Sequence, residues 1–243
     1  MSSRRVIKDL KGFFDSLFGK NYFTIIYGSC AYGVNVSNSD LDFMTVCNSF
    51  NKRQLDRTLD FISILYKKYN FASDDEIPHK NKVLCSYKML DDAINGKGFE
   101  IRGSQLYIPP VAKNQRFLNS KEMAMRLFLN AITSKNIFVS GDRNFYLQKR
   151  ERALQNMIYF LFLTKTTRFF KIEEFIQSLI GTPERNGEMY LGYKDDPVVH
   201  RYLTKTFRRE FNLLRKNGIL KLSGERYCMR DSSWLNELSY LDG

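Results

Sequence analysis

The segment YGSCAYGVNVSNSDLDFMTV, Tyr27 to Val46, constrains the fold of this chain more than any other stretch. It sets a Gly-Ser pair, ten further residues and an Asp-Leu-Asp triplet between two apolar runs, FTIIYG at Phe23–Gly28 and LDFMTV at Leu41–Val46. Both runs read as buried strands. The link between them begins with small residues that open a short helix at Cys30 and ends in turn formers, so the strands are neighbours. The Gly-Ser pair and the acidic residues then meet at one end. Residues two apart in a strand share a face, so Asp40 and Asp42 project together while Leu41 and Phe43 face the core. Two carboxylates in an apolar run are costly to bury unless a cation offsets them.

Carboxylates so paired suit a pair of hard cations, the arrangement used in two-metal phosphoryl and nucleotidyl transfer. Mg²⁺ or Mn²⁺ fits, because magnesium takes oxygen ligands and commonly binds through one or two carboxylates plus substrate phosphates. Gly28 lets the backbone approach a phosphate closely, Ser29 adds a hydroxyl, and the first amides of the following helix favour negative charge. An isolated Asp-X-Asp is most often a solvated or turn-capping pair. Its place between a Gly-Ser turn and a strand reverses that balance.

With these residues the stretch resembles the signature of the DNA polymerase β-type nucleotidyltransferase superfamily, as found in small bacterial members. That signature is an apolar residue, Gly, Gly or Ser, a gap of about ten residues, then Asp-apolar-Asp-apolar. Here Ile26 or Tyr27 precedes Gly28-Ser29, and Asp40-Leu41-Asp42-Phe43 supplies the acidic part, with Ser39 before the first Asp. The resemblance is sharp over Phe23–Val46, extends to about Val111 and is absent beyond. It implies a small mixed sheet flanked by helices, two Mg²⁺ ions, and transfer of a nucleoside monophosphate from an NTP such as ATP to a hydroxyl or phosphate.

The resemblance also implies a third carboxylate on a later strand. The candidates are Asp74, Asp75 and Glu76, with Glu100 behind them. Asp74 and Glu76 share a face if extended, and Glu76 comes first because Ile77 continues the strand. Lys82, like Lys80, is either a phosphate contact or a solvated loop residue. His79 reads as a surface residue rather than a base.

The fold class expected is α+β: residues 1–115 as a nucleotidyltransferase-like domain with a mixed sheet, and 116–243 as a mostly helical domain. The boundary falls after Pro109-Pro110 and the polar stretch that follows. The chain opens with a short amphipathic helix, apolar at Val6, Leu10, Phe13, Phe14 and Leu17, and helical patterns cover Lys52–Lys68, with the stripe Leu55, Leu59, Ile62, Ile64 and Leu65, Glu122–Ser134, Phe145–Thr164 and Ile172–Leu179. The run from His200 to Arg230 is an amphipathic helix stopped at Gly218 and followed by a hairpin, an order that resembles a winged helix.

The net charge of +12 favours a polyanionic partner, most plainly RNA or tRNA, or else reflects a generally basic composition. Arg208, Arg209, Arg215 and Lys216 on the last helix are the candidate nucleic-acid contacts; the alternative is a solvated basic face. The longest apolar run, MIYFLFL, is too short for a membrane span, and four widely spaced cysteines suggest no disulfide framework. A cytoplasmic protein with no membrane partner is expected. Besides RNA, the same site would serve a small-molecule or protein acceptor. A nucleic-acid-binding or regulatory, toxin–antitoxin-like protein on a degenerate scaffold remains open.

Overall fold

The computed structural model describes residues 3–34, 39–72, 84–97, 100–102, 105–107, 121–164, 169–180, 193 and 195–230. The chain divides into two units, Met1–Asp91 with Ala131–Lys149, and Asp92–Asn130 with Arg150–Gly243. The boundary expected at Pro109-Pro110 lies outside the described residues.

The first unit is built on a mixed sheet of order β3-β2-β1-β6, formed by β1 (Tyr22–Ile26), β2 (Phe43–Cys47), β3 (Leu84–Ser86) and β6 (Ile137–Gly141). β1 pairs antiparallel with β2, from Tyr22 opposite Cys47 to Ile26 opposite Phe43. All five residues of each strand are buried, and the Thr24 and Thr45 hydroxyls satisfy one another across the pair at 2.8 Å. β3 runs parallel to β2, with Leu84 opposite Thr45. Helix α1 (Ser3–Phe18) buries Val6, Leu10 and Phe14 in the core that β1 and β2 line with Tyr22, Ile26 and Phe43. Phe13 of α1 stacks on Phe61 of α3 (Lys52–Tyr69) at 4.0 Å between ring centroids.

Two details depart from the sequence pattern. Ile64, placed in the apolar stripe of α3, is 63% exposed, because it lies about 200° around the helix from Ile62. β6 falls within the half expected to be mostly helical. Its place is set by antiparallel pairing with β1, Phe23 opposite Gly141, a contact across more than a hundred residues that local periodicity does not signal.

Helices α4 (Tyr87–Ile94), α5 (Lys121–Thr133) and α6 (Arg143–Thr164) each contribute residues to both units. In the second unit β4 (Glu100–Arg102) and β5 (Gln105–Tyr107) form an antiparallel pair. Then follow β7 (Phe169–Phe170), α7 (Ile172–Leu179), α8 (Pro197–Lys216), β8 (Leu220–Ser223) and β9 (Arg226–Met229). Their sheet order is β7-β9-β8, with α7 and α8 between β7 and the β8–β9 hairpin, an order that resembles a winged helix. Phe175 of α7 packs against Phe207 and Phe211 of α8 at 4.7 and 5.3 Å, and Phe211 meets Tyr227 of β9 at 4.8 Å. α8 starts where the Asp196 side chain accepts a hydrogen bond from the Val198 amide at 2.7 Å, with Pro197 in the first turn. The whole is an α+β protein. No helix among the described residues is long and apolar enough to cross a membrane.

Candidate active site

β1 ends at Ile26, and Gly28 turns the chain directly into α2 (Gly28–Tyr32), two residues earlier than the sequence pattern suggests. Gly28 takes φ +68°, a region open to glycine and costly to other residues. A second constraint falls on the same atom: a Cβ on Gly28 would lie 2.1 Å from Asp42 Oδ2 and 2.9 Å from its Cγ. The Asp42 carboxylate therefore rests against the Gly28 backbone. This contact ties the Gly-Ser turn to the acidic pair across ten intervening residues.

Asp40 and Asp42 stand just ahead of β2 rather than within it, since the strand begins at Phe43. Alternation nevertheless holds: Leu41 and Phe43 are buried and both aspartates are half-buried. Three consecutive carbonyls of this segment are each held by a different element. The Cys30 thiol of α2 donates to Asp40 O at 3.7 Å, the Tyr66 hydroxyl of α3 to Leu41 O at 3.0 Å, and the Tyr27 amide to Asp42 O at 3.0 Å. Fixing carbonyls on both sides of each aspartate fixes where its side chain starts. Cys30 and Tyr66 carry no mark of this role in the sequence, because only the fold brings α2 and α3 to the acidic segment.

The electrostatics agree with this geometry. Burial pushes the Cys30 thiol pKa up, and the Asp42 and Asp40 charges push it further, so both carboxylates lie close to one sulfur. Negative charge is thus concentrated beside the Gly28 turn, where the Asp42 carboxylate sits. The expected site residues Gly28, Ser29, Ser39, Asp40 and Asp42 gather at this end of the sheet.

Asp74, Glu76 and Lys82, with Asp75, His79 and Lys80, lie outside the described residues. Glu100 belongs to β4 in the second unit. Among the described residues no group of three or more His, Cys, Asp or Glu is arranged to hold a metal ion. Arg208, Arg209, Arg215 and Lys216 are exposed on α8, also in the second unit.

Residues 7–81 match the family model of the nucleotidyltransferase domain. No curated protein and no solved structure matches the chain. The matched span contains most of α1 and all of β1, α2, β2 and α3, among them the elements that set Asp42 against Gly28 and hold the acidic segment in place. Over residues 7–81 the chain is thus similar to nucleotidyltransferase domains, consistent with the DNA polymerase β-type superfamily.

Proposed function

We propose that the protein is a metal-dependent nucleotidyltransferase that moves a nucleoside monophosphate from an NTP, such as ATP, to a hydroxyl of RNA, with tRNA the foremost acceptor. The observation that carries this reading is the contact of the Asp42 carboxylate with the Gly28 backbone, which joins a phosphate-type turn to a pair of oxygen ligands.

The residues present fit a hard divalent cation. Asp40 and Asp42 are oxygen donors, half-buried and anchored through their own carbonyls, and the bare Gly28 backbone gives the Asp42 carboxylate a seat that a β-carbon would take away. Mg²⁺ or Mn²⁺ bound there supplies positive charge to the phosphates and acidifies the attacking hydroxyl. Asp40 and Asp42 hold that charge in place, while the Gly28-Ser29 turn receives phosphate oxygens through backbone amides and the Ser29 hydroxyl, with Ser39 beside them. In the transfer, a bond forms from the acceptor oxygen to the α-phosphorus and the α–β phosphoanhydride bond breaks, releasing pyrophosphate. The hydroxyl proton passes to a third carboxylate, Glu76 or Asp74. This choice rests on the sequence pattern alone, in which Asp74 and Glu76 share a face if the stretch is extended. Lys82, in the same stretch, neutralises phosphate.

The test is to incubate purified protein with each labelled NTP, Mg²⁺ or Mn²⁺, and RNA, protein and small-molecule acceptors in parallel. Label should move to RNA with the wild type and not with Asp40→Ala or Asp42→Ala, both of which should keep the fold, as circular dichroism would verify. Turnover retained in either variant would overturn the ligand assignment; label on protein or small molecules alone would overturn the acceptor.

A further inference from the structure

In the second unit every exposed charged side chain of α8 beyond its first turn is a cation. They are Arg201, Lys205, Arg208, Arg209, Arg215 and Lys216, while the helix's one glutamate, Glu210, is 1% exposed. At 100° per residue all six fall within about 120° of the helix circumference, opposite the buried stripe of Leu203, Phe207, Phe211 and Leu214. They run for about 22 Å along the axis at 1.5 Å per residue.

A face that is merely solvated usually mixes signs, and this chain has 26 acidic residues to mix in. Among the described residues, acids touch the strip at its middle: Glu210 accepts from Arg209 at 2.7 Å, and Glu173 lies 3.9 Å from Arg208. Arg201, Lys205, Arg215 and Lys216 have no carboxylate at ion-pair distance among the described residues. The strip carries no exposed aromatic ring of the kind that stacks on unpaired bases; Tyr202, at its edge, is half-buried and accepts a hydrogen bond from Arg150. The hairpin that follows the helix exposes Lys221, with Arg230 directly after β9, while its Glu225 and Arg226 are paired with Lys171 and Glu174 at 2.7 and 3.0 Å.

We infer that the exposed face of α8 is a docking surface for double-helical RNA, gripped through its phosphates and largely without regard to sequence. This deepens the acceptor assignment and rests on it only for the choice of RNA; the binding itself requires no turnover.

The experiment is fluorescence anisotropy of full-length protein with a labelled RNA hairpin, a single strand of the same composition and the corresponding DNA duplex, from 50 to about 300 mM salt. Three variants are compared with wild type. One carries Arg201→Gln, Lys205→Gln, Arg215→Gln and Lys216→Gln. A charge-matched control carries Lys52→Gln, Arg53→Gln, Arg57→Gln and Lys67→Gln on α3, and a third exchanges Arg and Lys at the four α8 positions. All eight side chains are exposed, so the folds should survive, as thermal melts would verify.

Four lost phosphate contacts should flatten the slope of log K against log salt by about 3 to 4 in the α8 variant, with little change in the control and recovery in the Arg–Lys exchange. Equal losses in the two Gln variants would overturn the inference in favour of bulk charge. So would preference for the single strand, tighter binding of DNA than of RNA, or no binding of the hairpin at 50 mM salt. Hairpin binding that persists in Asp40→Ala while transfer is absent separates this surface from the catalytic reading.

Discussion

Replacing Gly28 by alanine tests the site most sharply, because two costs of known origin fall on one added methyl. The first is conformational: at φ +68° an L-residue is strained by about 1–2 kcal/mol. For a chain of this size that lowers the melting temperature by roughly 2–8 °C. The second is local. The new Cβ would stand 2.1 Å from Asp42 Oδ2, so the carboxylate must retreat by more than 1 Å to reach an ordinary contact of about 3.4 Å or beyond. Either Asp42 swings off the Gly28 backbone or the Tyr27 amide loses its 3.0 Å bond to Asp42 O. A misplacement of that size in a reacting constellation costs on the order of 10²-fold in rate, equivalent to about 2.7 kcal/mol.

Gly33 provides the control. It takes φ +77° at the end of the same short helix, and a Cβ there meets nothing within 4 Å. Gly33→Ala should show a comparable fall in melting temperature with activity within a few-fold of wild type. Gly28→Ala should add the loss of Mn²⁺ binding, read by electron paramagnetic resonance, and about a hundredfold drop in nucleotidyl transfer. If Gly28→Ala bound Mn²⁺ and turned over as well as Gly33→Ala, Asp42 would not owe its function to its seat on Gly28, and the construction of the site proposed here would fail.

Other perturbations probe the supports of the same unit. Tyr66→Phe removes the hydroxyl that holds Leu41 O and should cost about 0.5–1.5 kcal/mol in denaturant unfolding, with a larger effect on kcat than on the KM for NTP. Cys30, its pKa raised by burial and by the Asp42 and Asp40 charges, should be alkylated by iodoacetamide more slowly than a free thiol at pH 8; Asp42→Asn should speed that labelling, and equal rates would contradict the proximity. Asp9 has its pKa lowered chiefly by the hydrogen bond from Lys68 at 2.6 Å, so its native pKa lies below its unfolded value. The stability it contributes is therefore present above about pH 4 and is lost as pH falls through the lowered native pKa, so the melting temperatures of wild type and Asp9→Asn should converge in acid. Phe14→Ala, at a fully buried position among Phe18, Tyr22 and Phe43, should cost about 3–5 kcal/mol.

Much of the first unit was legible because its signals are local. Alternation around Leu41 and Phe43 is a consequence of strand geometry, and the stripe Val6, Leu10, Phe14 follows from helix geometry. The Gly28 turn declared itself through a residue type that few backbones require. β6 was not legible, since a five-residue strand between two helices owes its existence to a register with β1 rather than to its own pattern. For the same reason the supports of the acidic segment escaped notice. Tyr66 and Cys30 are ordinary members of amphipathic helices until α3 and α2 bring their polar atoms to Leu41 and Asp40.

That division explains why motif and support carry different information. A ligand must be a carboxylate whatever surrounds it, so Asp40 and Asp42 can be named from residue type and spacing. A support need only deliver a hydrogen-bond donor to a backbone carbonyl, which a thiol, a phenol and an amide all do here. Donor chemistry is interchangeable where position is not. Substitutions that keep a donor at 30 or 66 should therefore preserve the site better than those that keep side-chain volume, and Cys30→Ser should retain more activity than Cys30→Ala. The reverse order, measured in the transfer assay, would mean that the sulfur acts by packing rather than through its bond to Asp40 O.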